Sequence, residues 1–244
     1  MEQIQFRTAG DSALLAEFDN VISFAENRKV RALKAALERK AIPGVGEAVP
    51  AYRSLLIRYD PCRISDASLK EAVAGCLETL SDVELPPPVV VEIPVCYEGE
   101  YAPDLDDIAR MEQKSTDEIV AIHSGEDYFI YMLGFTPGQP YGARMNRPFS
   151  FGRRTTPRVR MRAGSIAVQK ELACILPFDQ PCGWNIIGTT PLRVFDARKE
   201  DPFLLQSGQW FRHVPISSAE FETIARQVEN GTYVPRTFVK EVLP

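Results

Sequence analysis

Histidine is nearly absent from this chain, with only His123 and His213 among 244 residues. A multi-histidine metal centre is excluded unless carboxylates or thiolates from distant segments complete it, so no resident metal is expected. Cysteine is sparse and unpatterned: Cys62, Cys76, Cys96, Cys174 and Cys182 are odd in number, with no Cys-x-x-Cys spacing. That disfavours a disulfide framework or a zinc ribbon and fits a reducing cytoplasm. A basic excess is also missing, since 28 Lys and Arg face 33 Asp and Glu for a formal charge of −5. Such a balance argues against a nucleic-acid partner. No apolar run approaches a membrane span, and the first residues lack the basic and apolar regions of a secretory signal, so neither membrane nor export is expected. There is no Gly-x-x-x-x-Gly-Lys phosphate loop, no His-Glu-x-x-His and no Gly-x-Ser-x-Gly elbow.

What is present is an ordinary globular composition, 45% hydrophobic and 25% charged, on a chain long enough for one large or two small cores. Ile4–Phe6 and Ala13–Leu15 read as strands around the Gly10-Asp11 turn. Ser23 and Glu26 have capping-box spacing at the head of a helix reaching about Lys40, with Val30, Leu33 and Leu37 on its apolar stripe. Val45–Pro50 and Ser54–Tyr59 follow as strands, then a helix capped by Ser65 or Asp66 runs through Leu80. This order suits a small α+β, ferredoxin-like domain over 1–86. Pro86-Pro87-Pro88 stiffens the backbone and marks a boundary, with a second domain over 89–244.

In that second part Val89–Val95 reads as a strand, and Asp104–Gln113 and Ser115–Ile122 as short helices. The remainder is β in texture, with candidates at 128–133, 165–168, 173–176, 185–187, 192–195 and 210–216, a last helix over 219–230, and a returning edge strand within 233–242. Many short strands with frequent turns fit a barrel or a sandwich, and periodicity does not choose between them.

The stretch Tyr128–Gly138 runs a buried strand straight into a glycine- and proline-rich turn, a suitable floor for a site. His123 precedes it and suits either proton transfer or a structural cap at a helix end. Arg153, Arg154, Arg158, Arg160 and Arg162 concentrate positive charge. Planar guanidinium groups suit a carboxylate or phosphoryl ligand, and the alternation at 158, 160 and 162 suits equally the wet face of a strand. Ser165 suits an oxyanion donor or a turn, and Trp184 a stacking surface or core. Gln169 belongs to a polar cluster with Lys170 and Glu171, while Cys174 and Cys182 lack a neighbouring base.

The ordered set His123, Tyr131–Gly138, Thr156-Pro157-Arg158, Ala163-Gly164-Ser165, Pro177, Gly183-Trp184 and Ile187–Pro191 resembles the allophanate hydrolase subunit 1 family of carboxyltransferase-domain proteins. The resemblance implies a ferredoxin-like domain followed by a cyclophilin-like β-barrel. It also implies a non-autonomous subunit of an ATP-dependent amidohydrolase that opens 5-oxoproline to glutamate with A-type and C-type (allophanate hydrolase subunit 2-like) partners, ATP being consumed by the assembled complex. A KipI-like inhibitor of a histidine kinase and a subunit acting on allophanate or another urea-derived amide are the alternatives. Carried onto this chain, the catalytic residues would be His123, Arg158 and Ser165. Gly134, Phe135, Pro137, Gly138, Tyr141 and Trp184 would contact substrate; side-chain chemistry adds Arg153, Arg154 and Gln169, with His123 and the arginines meeting at one mouth of the barrel. The chain departs from the family pattern at Gln139, Gly142 and Cys182, and in the glycine-free stretch Val168–Cys174, whose backbone approaches a ligand less freely. The altered loop at Gln169–Cys174 motivates the inhibitor reading, since an inhibitor needs a surface and no catalytic geometry.

Overall fold

In the computed structural model, which describes residues 4–143 and 148–241, the chain divides into two compact units, Met1–Pro87 and Pro88–Leu243.

The first unit holds β1 (Gln5–Thr8), β2 (Ala13–Glu17), α1 (Phe24–Lys40), β3 (Val45–Pro50), β4 (Ser54–Tyr59) and α2 (Asp66–Leu77). Its sheet has the order β1-β2-β4-β3 and is antiparallel throughout, so β2 and β3 run the same way on either side of β4. Ser23 caps α1 by accepting from the Glu26 amide, and the chain leaves that helix through left-handed Ala41. The apolar stripe of α1, with Leu69, Val73 and Cys76 of α2, buries against Leu14, Leu55 and Ile57 of the sheet. The second helix stops at Leu77 rather than Leu80, and a separate 3-10 turn covers Leu80–Asp82.

The second unit begins with β5 (Val89–Cys96), followed by α3 (Leu105–Glu112), α4 (Thr116–Ser124), β6 (Asp127–Leu133) and β7 (Pro140–Ala143). Then come β8 (Arg158–Met161), β9 (Ser165–Gln169), β10 (Leu172–Ile175), β11 (Gln180–Cys182), β12 (Asn185–Thr189), β13 (Trp210–Ile216), α5 (Ser218–Glu229) and β14 (Thr237–Val239). Seven strands close a ring, β12-β9-β10-β7-β6-β13-β5, with Thr189 of β12 meeting Cys96 of β5 and β14 flanking β5. Only the β5–β13 pairing is parallel among the described ladders. Residues two apart, such as Val91, Ile93 and Val95 on β5 and Ala173 and Ile175 on β10, point inward to one core with Ile130, Ile166, Val168, Ile187 and Phe211. The architecture is α+β with a closed barrel, which decides between the barrel and sandwich readings.

Two details depart from expectation. Leu192–Phe195 is not a ladder strand: Leu192 and Val194 bury in the core, but beyond one bridge from Phe195 to Phe203 the segment folds on itself, Leu204 donating to the Val194 carbonyl. Conversely β7 and β11 were not legible as strands, whereas β8 carries Arg158 and Arg160, in keeping with the strand reading of the alternating arginines. β7 opens on proline and contains Gly142, where a side-chain carbon would lie 2.5 Å from the Phe211 ring, so close packing rather than propensity set that residue. The returning C-terminal strand exists as β14; Val242, at the end of the expected range, lies outside the described residues.

Candidate functional site

On β10 the side chains alternate between the barrel core, reached by Ala173 and Ile175, and the outer face, where Cys174 joins Ala167, Leu176, Cys182 and Ile186. The β8–β11 ribbon lies over this outer face, with Met161 packed on the same cluster. Between them is a cavity of about 200 Å³ lined by Phe135, Gln139, Tyr141, Arg153, Gln169, Gln180 and Trp184, together with both thiols. The site therefore sits on the barrel wall, not at a mouth.

The turn joining β6 to β7 supplies one side. Gly134 donates to the Gln139 carbonyl and Gln139 to that of Thr136, each at 3.1 Å. Phe135 takes a left-handed φ of 66° and is 79% exposed at the cavity edge, with Pro137 and Gly138 completing the turn behind it. Gln139, only 3% exposed, is a polar junction. Its Oε1 accepts from Thr136 Oγ1 at 3.0 Å and Gln180 Nε2 at 2.7 Å, and its Nε2 donates to the Tyr141 hydroxyl at 3.1 Å. Trp184 meets Tyr141 edge to face at 6.0 Å. Burial pushes the Tyr141 phenol up to about 12 and raises both thiols, Cys174 furthest. Tyr141, Cys174 and Cys182 are accordingly neutral at physiological pH, and the cysteines are not thiolate nucleophiles.

Three arginines expected at the site part company. Asp104, just before α3 and 1% exposed, accepts from Arg158 at 2.7 Å, from Arg154 at 2.8 Å and from the Ile186 amide at 2.7 Å. That carboxylate raises the Arg158 guanidinium above its usual value and commits both arginines to holding the α3 end against β8 and β12. Arg153 has no carboxylate partner among the described residues, and its charge acts on Tyr141 and Cys182. Gly183 makes room for it, since a side-chain carbon there would lie 3.0 Å from Arg153 Nη2. Arg153 also borders an open cleft with Arg154, Thr155, Thr156 and Asn185.

The expected catalytic set is not assembled. His123, fully buried, stacks on His213 with centroids 4.1 Å apart and shares a 2.8 Å hydrogen bond with Tyr97, while Tyr128 packs on both imidazoles. It belongs to an aromatic layer near α4 and β13 and does not line the cavity. Ser165 is buried at the start of β9 and does not line it either. Arg158 is held by Asp104. Phe135, Tyr141, Arg153, Gln169 and Trp184 do come together, whereas Gly134, Pro137 and Gly138 shape the turn and Arg154 faces the neighbouring cleft. Asp104 and Gln180 had no pattern marking them as site residues, Asp104 reading as a helix start and Gln180 as an isolated polar position, while Gln139 was marked only as a departure from the family pattern.

Against known proteins, residues 4–205 match the family described as carboxyltransferase domain, subdomain C and D. The B subunit of 5-oxoprolinase from Bacillus subtilis (strain 168) is 35% identical over 227 residues, covering 89% of this chain and 95% of that one. Among solved structures, TTHA0988 is similar with a TM-score of 0.73 and 36% identity over 84% of this chain, which spans only 40% of TTHA0988. The Kluyveromyces lactis urea amidolyase, 18% identical, shares the fold over 98% of this chain with a TM-score of 0.80, this chain matching 16% of its length. By the extent of the family match and the near full-length relative, this chain belongs to the carboxyltransferase-domain family, subdomains C and D, with the 5-oxoprolinase B subunits among its homologues.

Proposed function

We propose that this chain is a B-type subunit of a cytoplasmic, ATP-dependent amidohydrolase that opens the lactam of 5-oxoproline to glutamate together with A-type and C-type subunits, and is inactive alone. The two units are proposed to be ferredoxin-like and cyclophilin-like respectively. The Bacillus subtilis 5-oxoprolinase relative, aligned along nearly its whole length, supports the reaction. The geometric observation that carries it is Arg153, an arginine without a carboxylate partner among the described residues, beside a small cavity walled by a neutral phenol and carboxamides. Such a group pairs with the substrate carboxylate through charge-assisted hydrogen bonds.

A triphosphate is not fitted by the residues here: the sequence has no phosphate loop, and Arg154 and Arg158 are occupied by Asp104. ATP is accordingly assigned to the assembled complex, and no step is drawn through it. No proton transfer is assigned to His123, which does not line the cavity. The test is reconstitution with A-type and C-type subunits followed by assay of glutamate from 5-oxoproline. Turnover requiring all three chains supports the reading; a soluble, assembled complex without turnover sinks it, and capture of a histidine kinase in place of the two subunits favours the inhibitor alternative.

A further inference from the structure

We propose that Tyr141 is the carbonyl-binding donor of the barrel-wall cavity, that Gln139 is its positioning residue, and that with Arg153 they select small acids carrying an amide or lactam carbonyl. The inference deepens the reading above and rests on it only for the choice of 5-oxoproline as probe.

Orientation comes from the hydrogen-bond network. Gln139 Oε1 is occupied by Thr136 and Gln180, which leaves its Nε2 to donate to the Tyr141 oxygen. A phenol oxygen that accepts from Gln139 keeps its own proton for another acceptor, and none is present among the described residues. Tyr141 lines the cavity, where Cys174, its register partner on β10, is a neutral thiol. Among the cavity's neutral donors, which include the Gln169 carboxamide and the Trp184 indole, Tyr141 is the one whose proton the network directs, and Arg153 supplies one cation. A ligand matching both has an uncharged carbonyl oxygen at one end and a carboxylate at the other. A cavity of about 200 Å³ suits a small ligand better than an extended one. Gln139 stands where the family resemblance leads one to expect phenylalanine, a residue that could not make these hydrogen bonds.

Every group named belongs to one chain, so the full-length chain alone should bind. The test is titration calorimetry with L-5-oxoproline, L-proline, which keeps ring and carboxylate but lacks the carbonyl, and 2-pyrrolidinone, which keeps the lactam but lacks the carboxylate. L-5-Oxoproline is expected to bind most tightly. Tyr141→Phe and Gln139→Leu are each expected to weaken it about threefold to tenfold, the worth of one neutral hydrogen bond, while leaving L-proline affinity unchanged. A merely structural role would lower both affinities together. Equal binding of L-proline and L-5-oxoproline by the wild-type chain, unchanged L-5-oxoproline affinity in Tyr141→Phe, or binding of neither L-5-oxoproline nor N-acetylglycine overturns the inference. Glutamate formation by the assembled complex is read separately, so either idea can fail without the other. If N-acetylglycine binds with the same Tyr141 dependence and L-5-oxoproline does not, the carbonyl-and-carboxylate site stands and the lactam reading falls.

Discussion

Asp104 illustrates how one buried side chain organises a site without touching it. Its carboxylate takes two arginines and a backbone amide, so removing the charge leaves two guanidinium groups without their counter-ion. Asp104→Ala should destabilise the chain by about 3–5 kcal/mol, the range for breaking a buried pair, measured by urea unfolding. A second residue-scale expectation concerns acid. Burial holds His213 down to about 3 in the folded chain, against about 6.5 when unfolded. The unfolded state binds the extra proton between those values, so this contribution is complete above about pH 6.5. It declines by up to about 1.4 kcal/mol per pH unit on acidification toward 3. Unfolding free energies at pH 7, 6 and 5 should show this slope, and His213→Gln should flatten it. Side-chain chemistry named Arg153 and Trp184 as candidates, and the family resemblance added Tyr141. Side-chain chemistry did not distinguish Arg153 from Arg154 and Arg158, because which guanidinium is neutralised depends on an aspartate about 50 residues away in the chain.

At the scale of elements, the helices were the most legible, since Ser23, Ser65, Ser115 and Ser217 announce their starts by local capping. Strands were legible where β-branched or aromatic runs are long, as in β5 and β6. They were lost where a long-range contact dictates the residue, as at Gly142 under Phe211. The connection from β8 to β9 is a similar case. Gly164 has φ 81°, donates to the Leu176 carbonyl and accepts from Thr190, and an added side-chain carbon would lie 2.2 Å from the Thr190 oxygen. Gly164→Ala should therefore cost about 3 kcal/mol or more through backbone clash and strain, lowering the unfolding midpoint. Ala163→Gly, next to it and exposed, should change stability far less.

For the whole molecule, the order of elements in each unit follows from pattern and punctuation, including the three prolines at 86–88. Closure of seven strands into one ring does not, because it depends on β12 meeting β5 across some ninety residues of sequence. That closure puts the even positions of β10 outside the core and creates a wall cavity where a mouth was expected. The central claim is that Arg153 in this wall cavity holds the carboxylate of the substrate. The direct measurement is the KM for 5-oxoproline of a reconstituted complex carrying wild-type chain or Arg153→Met, with the unfolding midpoint measured alongside. A rise of about tenfold to a hundredfold, as expected for losing a charge-assisted hydrogen bond, with the midpoint unchanged, is the predicted result. Wild-type kinetics in the Arg153→Met complex would contradict it.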